Sequence, residues 1–172
     1  MTVRRTTRKG GFTLVEILIV VIILGILAAI VIPQFTSASQ DARKNSLTSQ
    51  LQTIRSQIEL YKLQHLDKLP PALLGGTGWA DLTSQSDNTG AIGTGAAFPF
   101  GPYLQSAPAN SLNGKTAVVT ASVDQTLGVA PTVTATSAGF VFNTTNNKIW
   151  ATSSLGGFIY NESNPADGNN DK

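Results

Sequence analysis

The fold is decided by an apolar run near the start of the chain, Phe12-Thr-Leu-Val-Glu-Ile-Leu-Ile-Val-Val-Ile-Ile-Leu-Gly-Ile-Leu-Ala-Ala-Ile-Val-Ile32. The run is 21 residues long and holds one charged residue, Glu16. A helix rises about 1.5 Å per residue, so the run spans roughly 30 Å, the hydrocarbon thickness of a bilayer. A secretory signal peptide has a shorter apolar region, and the core helix of a soluble domain has a polar face that this run lacks. We therefore predict a membrane-spanning helix over residues 12–33.

The basic charge of the chain is concentrated at its N-terminus. Four of the 12 Lys and Arg residues lie within the first eleven positions, which contain no acid. The rest of the chain holds the other eight together with ten Asp and Glu residues. Positive residues before a span predict a cytoplasmic N-terminus and a C-terminal portion on the far side of the membrane. The rest of the chain has no basic patch interleaved with aromatic residues, so we expect no nucleic-acid binding.

The composition excludes several kinds of chemistry. Among the 172 residues there is no cysteine and one histidine, His65, so disulfides, Cys-ligated metals, thiol nucleophiles and His clusters are ruled out. Gly114-Lys115-Thr116 looks like the end of a phosphate-binding loop, but Ala109 stands where that loop needs a glycine. We expect neither an enzyme nor a resident cofactor.

Glu16 is an unusual residue for an apolar span. A carboxylate inside the apolar layer costs on the order of 3 kcal/mol on insertion scales, which makes Glu16 a candidate functional residue. The alternative is that Glu16 lies near the end of the span and reaches the lipid headgroups. At this point the residues alone leave both readings open.

The residues around Glu16 carry a family resemblance. Gly10-Gly11-Phe12-Thr13-Leu14-Val15-Glu16 resembles the class III signal of type IV pilins and the related pseudopilins, and the likeness extends through Gly25 and Pro33. It implies that a prepilin peptidase removes a basic leader, residues 1–11, by cleaving between Gly11 and Phe12, and then N-methylates Phe12. It also implies that Glu16, at the fifth mature position, and Pro33 belong to the helix through which subunits assemble.

Cleavage would create an α-amino group on Phe12 that the unprocessed chain lacks. When subunits stack, the Phe12 amine of one copy can pair with Glu16 of its neighbour and relieve the burial cost of both charges. Methylation to a secondary amine keeps the positive charge. We expect the pair to set the axial register between copies.

A second, amphipathic helical segment is predicted over residues 34–67. Its apolar residues recur at alternating steps of four and three, as on one face of a helix: Leu47, Leu51, Ile54, Ile58 and Tyr61. This stripe is expected to dock on a small globular domain, with His65 extending it as a packed residue rather than a ligand. Pro33 predicts a kink or a locally melted turn. The charged residues predicted to be solvated are Asp41, Arg43, Lys44, Arg55, Glu59 and Lys62.

The rest of the chain predicts a small α+β domain. Residues 68–115 form a variable loop region rich in Gly, Ser and Thr, with Trp79 as its main apolar anchor. Residues 116–160 form a small antiparallel sheet that includes a hairpin turning at Asn146-Asn147. Its β-prone runs are 116–123, 131–136, 139–144, 148–152 and 157–160. Residues 161–172 form a polar tail that should be exposed. The fold class is therefore α+β and pilin-like, a long N-terminal helix packed on a small antiparallel sheet.

Two further features bear on the place of the chain within the family. Gly101-Pro102-Tyr103-Leu104-Gln105 is similar to a loop of the major pseudopilin of type II secretion systems, although the following residues depart from its usual continuation. The resemblance also implies a C-terminal calcium loop, for which Asp167, Asn169 and Asp171 offer candidate oxygen ligands. No bidentate Glu follows them, so a solvated acidic tail is the preferred interpretation.

The resemblance implies a structural subunit that polymerises into a periplasmic pseudopilus of a type II secretion system and drives protein export. Its partners would be further copies of itself, the prepilin peptidase, minor pseudopilins and the inner-membrane platform and ATPase machinery. It would be a single-pass inner-membrane protein with a periplasmic C-terminal domain, assembled in a periplasmic or surface filament. Two alternatives remain open: a subunit of a cysteine-free type IV pilus serving adhesion, motility or DNA uptake, and a membrane-anchored binding module whose Trp79 loop holds a ligand.

Overall fold

One long helix accounts for the first part of the chain in the computed structural model, which describes residues 11–131, 137–154, 157–164 and 167–171. This helix, α1, runs from Leu14 to Gln64 and is 51 residues long. The chain divides into two compact units, one ending at Ser39 and the other beginning at Gln40. The helix continues through Pro33, so of the two expectations for this residue the locally melted turn is wrong and the kink stays a prediction. A proline removes one backbone donor, and the turns on either side remain helical.

The apolar stripe of α1 forms the core of the second unit. Its members are each at most 1% exposed: Leu47, Leu51, Ile54, Ile58 and Tyr61. They pack in one cluster with residues of the sheet, including Phe140, Phe142 and Ile149. Burying side chains of this size contributes about 1.5–3 kcal/mol each. The prediction that the stripe docks on a small globular domain is confirmed.

The charged residues of α1 are less uniformly solvated than predicted. Arg55 and Lys62 are partly covered, and Lys44 is only 5% exposed. Position 44 lies three residues before Leu47 and therefore on the same face of the helix. The carbonyl of Lys44 accepts a hydrogen bond from the Tyr160 hydroxyl at 3.0 Å. The prediction of a solvated Lys44 is wrong because the C-terminal part of the domain covers this turn.

The end of α1 carries two non-glycine residues in the left-handed region. Leu66 has φ 56° and Asp67 has φ 62°. The N–H of Asp67 donates to the carbonyl of Lys62 at 2.9 Å, which is the long bond of a Schellman cap. This cap ends the helix before the prolines at positions 70 and 71.

The region from residue 68 to 115 holds short regular elements in addition to loops. Two one-turn helices, α2 (Pro71–Leu74) and α3 (Ala80–Thr83), are followed by β1 (Gln85–Ser86) and β2 (Ile92–Gly93), which pair antiparallel. Elements of two to four residues are too short to leave a periodic signal in the sequence. Their existence could not be predicted.

Trp79 anchors this region to the core. Its ring is 5% exposed and meets Phe140 edge-on at a centroid distance of 5.3 Å, and its Nε1 donates to the Thr116 carbonyl at 2.7 Å. Trp79 is therefore an apolar anchor as predicted, but it shares this role with Leu73 and Leu82, which are fully buried in the same cluster. A ring packed in this way presents no free face to a ligand, which removes the basis for a binding module centred on the Trp79 loop.

The main sheet is mixed rather than antiparallel. Its strands β3 (Val118–Ala121), β4 (Phe140–Asn143) and β5 (Ile149–Ala151) lie in the order β3-β4-β5. The predicted hairpin of β4 and β5 is confirmed, with Asn147 at φ 65° in its turn. β3 instead pairs parallel to β4, which corrects the expectation. A parallel pair needs a crossover of a dozen or more residues, and residues 122–139 supply that length.

Two of the predicted β-prone runs do not add strands to this sheet in the described residues. The run 131–136 lies outside them except for Pro131. The run 157–160 contributes one isolated bridge, between Thr152 and Ile159. The bridge continues the sheet beyond β5 by a single residue pair.

The polar C-terminal segment is tied to the domain. Asn170, in a short 3-10 helix (Gly168–Asp171), is fully buried, and its Oδ1 accepts from the backbone N–H of Asn161 at 2.7 Å. Glu162 pairs with Arg55 of α1 at 2.7 Å. The prediction of an exposed tail is therefore wrong at Asn170. A polar amide side chain can be buried when hydrogen bonds within the chain satisfy it.

Tyr61 and His65 close the buried end of the stripe. Their rings stack at 3.7 Å, and the His65 Nε2 lies 3.0 Å from the Ser86 hydroxyl. The Nδ1 of His65 lies 2.8 Å from the Tyr61 carbonyl, so it is the nitrogen that donates. His65 is thus a packed residue with both ring nitrogens bonded within the chain.

We expect Tyr61→Phe to raise the free energy of unfolding by about 1 kcal/mol, because the Tyr61 hydroxyl is buried without a hydrogen-bond partner among the described residues. Burial raises the pKa of Tyr61 to about 12. A protein loses stability with rising pH when folding raises the pKa of one of its acids, here between about pH 10 and pH 12. The Tyr61→Phe variant should not show this loss of stability. Chemical denaturation at pH 7 and pH 11 measures both effects.

Tyr160→Phe is the matched control for this prediction. The Tyr160 hydroxyl lies within 3.0 Å of both the Thr48 hydroxyl and the Lys44 carbonyl. Its removal should lower the free energy of unfolding by about 1 kcal/mol. A comparable loss in Tyr61→Phe would contradict the unpartnered hydroxyl.

Candidate functional site

The residues predicted to carry processing lie immediately before α1. Phe12 is 79% exposed, and Gly11 is also exposed. A side chain built at Gly11 would meet no atom within 4 Å. No contact within the described chain therefore calls for glycine at this position.

Thr13 and Glu16 cap the start of α1 reciprocally. The N–H of Glu16 donates to the Thr13 Oγ1 at 3.2 Å, and the N–H of Thr13 lies 3.5 Å from the Glu16 Oε2. This is a capping box, which satisfies donors that are otherwise unpaired at a helix start. Thr13 was not among the predicted site residues, and Glu16 was predicted only as a charge, although a Thr followed three residues later by a Glu before an apolar run is the signature of this cap.

The cap gives Glu16 a local partner before any assembly takes place. Its carboxylate lies in the first turn of α1, where the helix dipole favours a negative charge. The nitrogen of Phe12 is an amide in the unprocessed chain and would become a cation only after cleavage. Glu16 thus has one partner in the single chain.

The apolar segment of α1 is uncovered. Its large apolar side chains from Leu14 to Ile32 are between 41% and 82% exposed. Among the described residues, α1 is the one helix long and apolar enough to cross a membrane, and none of its apolar window is buried within the chain. So large an exposed apolar surface marks a membrane or protein contact. This agrees with the predicted span.

The calcium candidates are occupied by hydrogen bonds within the chain. The Oδ2 of Asp167 accepts from the Asn161 side chain and its Oδ1 from the Asn169 N–H, both at 2.9 Å. The Asn169 side-chain amide donates to the Gly128 carbonyl at 2.9 Å. Only the backbone of Asp171 is described. Across the described part of the chain, no three His, Cys, Asp or Glu side chains lie close enough together to hold a metal ion.

Residues 6–32 match the prokaryotic N-terminal methylation motif. The match covers Arg8 and Lys9, the proposed cleavage position, the capping box and the apolar segment. The resemblance to the type IV pilin-like family is confirmed.

The proteins similar to this chain include the core protein G of several type II secretion systems. The chain is 40% identical over 58 residues to the type II secretion system core protein G of Dickeya chrysanthemi, covering 34% of this chain and 38% of that protein. It is 41% identical over 58 residues to the core protein G of Pseudomonas aeruginosa, covering 34% and 41%. The core protein G of Escherichia coli K12 is 34% identical over 62 residues, covering 36% and 43%.

The matches span about two fifths of the length of these relatives. No solved structure matches the chain. The relatives are named as core components of a secretion system and not as enzymes, in agreement with the expectation that this chain is not an enzyme.

Proposed function

We propose that the chain is a structural pseudopilin subunit that polymerises through α1 into the pseudopilus of a type II secretion system and so drives protein export. The observation that carries the proposal is the contrast along α1. Its apolar residues before Ser39 are exposed, whereas its stripe after Gln40 is sealed in a core. A bilayer can cover the exposed segment before assembly, and the helices of neighbouring copies can cover it in a filament.

Processing follows from the same segment. We propose that a prepilin peptidase cleaves between Gly11 and Phe12 and methylates the new Phe12 amine, leaving a mature chain of 161 residues. The methylation motif over residues 6–32 and the exposure of Gly11 and Phe12 support this step. Cleavage also removes the four basic residues that precede the span.

Glu16 and Pro33 are the proposed assembly residues. Glu16 would leave its cap on Thr13 and pair with the Phe12 amine of a neighbouring copy. Pro33 would lower the cost of local adjustment in α1, because a helix that already lacks one backbone bond bends more easily. The basic N-terminus would stay in the cytoplasm and the domain from Gln40 onward would lie in the periplasm.

The similarity to core protein G favours a type II secretion pseudopilus over a cysteine-free type IV pilus. The proposed partners are further copies of the chain, the prepilin peptidase, minor pseudopilins and the inner-membrane platform and ATPase machinery. Electron microscopy of sheared filaments, labelled with antibodies to the domain, tests the proposal. A processed wild-type chain that stays monomeric in membranes of cells with the complete machinery would contradict it.

We expect the processed chain to begin at N-methylated Phe12. Intact mass spectrometry of protein extracted from membranes measures the start directly. A bulky residue in place of Gly11 should block cleavage and leave the full-length chain in the membrane, because a peptidase pocket shaped for glycine has no room for it.

Gly11→Ala is the graded control and should be cleaved in part. Neither change disturbs a contact in the described structure, so a folding defect cannot explain the difference. Assembled protein that retains Met1, or that starts beyond Ala29, would contradict the assignment.

A further inference from the structure

Three leucines are exposed where α1 ends. Leu60 is 39%, Leu63 82% and Leu66 72% exposed. Leu60 and Leu63 are neighbours on the helix surface, and the Cα of Leu66 lies at most about 11 Å from that of Leu63. Tyr61 and His65 of the same turns are fully buried. Leu60, Leu63 and Leu66 together form what we term the distal patch.

Leu66 occupies a backbone position suited to glycine. It is the left-handed residue of the cap, at φ 56°, a backbone conformation in which a side chain is strained and glycine is not. Its neighbour Asp67 is of a residue type that tolerates this region, and leucine is not. A glycine at position 66 would remove both the backbone cost and an exposed apolar side chain. Stability of the single chain therefore does not account for Leu66.

Charged residues border the distal patch. The Nζ of Lys62 lies 3.1 Å from a Glu59 carboxylate oxygen and 3.7 Å from an Asp67 carboxylate oxygen. An apolar centre with a polar rim is the anatomy of a protein-docking surface. The distal patch therefore has the composition of a contact surface. It also keeps Leu66 in a strained backbone conformation.

We propose that the distal patch docks on a second copy of this chain within the filament, an inference that rests on the proposed function. Three side chains offer far less than the roughly 800 Å² per partner of a stable interface. Such a patch cannot hold a freely diffusing partner, so its occupant must be kept close by another contact.

The uncovered apolar segment of α1 provides that other contact between copies. Helices that associate through residues 14–32 raise the effective concentration of neighbouring domains, so a small second contact becomes occupied. The distal patch meets a different surface on the next copy, because a patch that paired with itself would close a dimer and stop growth.

Leu66→Gly separates this role from folding. In the full chain in detergent, the melting temperature should stay the same or rise, because the cap is relieved. The yield of sheared filaments per processed chain should fall by at least about tenfold, because burying one leucine per contact corresponds to that factor or more in affinity. Leu63→Ser should lower the yield in the same way without altering the cap.

Asn147→Gly is the matched control. It relieves a left-handed residue, at φ 65°, that lies outside the distal patch and removes no apolar side chain, so filament yield should stay at the wild-type level. Wild-type yield from both Leu66→Gly and Leu63→Ser would overturn the proposed contact while leaving the proposed function intact. A wild-type chain that forms no filaments would overturn both.

A cross-linking experiment identifies the occupant. The chain has no cysteine, so Glu59→Cys, at the border of the distal patch, keeps all three leucines and carries a unique thiol that a benzophenone maleimide can label. In filaments, irradiation should give an adduct of two copies of the chain, and the same protein dispersed in detergent should not. An adduct with another protein, or no adduct in intact filaments, would overturn the inference.

Discussion

A Glu16→Ala chain should insert into the membrane and lose its leader normally, yet assemble few filaments. Removal of a charge makes insertion of the span easier. The Phe12 ammonium of a neighbouring copy would then enter the apolar core without its partner, and an uncompensated buried charge costs about 3–5 kcal/mol. We therefore expect a loss of filament yield of more than about a hundredfold.

Two variants separate this ion pair from the capping box that the structure shows. Glu16→Gln keeps a side chain that can serve the cap but carries no charge. Thr13→Ala removes the hydroxyl that accepts from the Glu16 N–H but keeps the carboxylate. If pairing with Phe12 governs assembly, Glu16→Gln fails and Thr13→Ala assembles. If capping governs it, the two results are reversed.

Charge and length variants complete the series. Glu16→Asp should be intermediate, because its carboxylate is one methylene shorter. Glu16→Lys should be the worst, since it places two cations together. The shear fraction of processed protein is the measurement. Equal assembly by all variants would mean that Glu16 only reaches the lipid headgroups, and wild-type yield from Glu16→Ala would refute the pairing.

The long helix could be predicted because its evidence is local. The uninterrupted apolar run predicts the helix, and the alternating steps of four and three residues predict which face of it is buried. Neither prediction requires knowledge of the residues that pack against the helix. The direction of β3 relative to β4 could not be predicted. Strands as short as these show the same residue pattern in parallel and antiparallel pairs, and the parallel pairing depends on the crossover through residues 122–139. The hairpin of β4 and β5 could be predicted because its short turn is visible in the sequence.

The polar packing of the domain also left no signal in the sequence. Asn110 is fully buried and its side-chain amide donates to the Gly139 and Thr152 carbonyls at 2.9 and 2.8 Å. Such an asparagine looks like any loop residue until its distant partners are known. The same holds for Asn170 at the C-terminal end. The capping box is different, since Thr13 and Glu16 lie three residues apart and could have been read directly.

Ile54→Asp should largely unfold the domain, measured on a chain that begins at Gln40, the first residue of the second unit. Ile54 is 1% exposed and packs in the cluster that joins α1 to the sheet. A carboxylate there would be buried without a partner, at a cost of several kcal/mol. That cost is a large fraction of the roughly 5–15 kcal/mol that stabilises an ordinary domain. Thermal unfolding followed by circular dichroism gives the comparison with the unchanged chain.

The adjacent Thr53→Asp places the same charge in the same turn but on the exposed face, so its melting temperature should stay near that of the unchanged chain. Ile54→Val keeps the test quantitative if the aspartate variant does not fold, because removing one buried methylene should cost about 0.5–1.5 kcal/mol. Both expectations follow from one premise, that the face of α1 bearing Ile54 is the face that holds the sheet. A chain from Gln40 that stays unfolded without any substitution, or an Ile54→Asp chain that melts with the unchanged one, would contradict that premise.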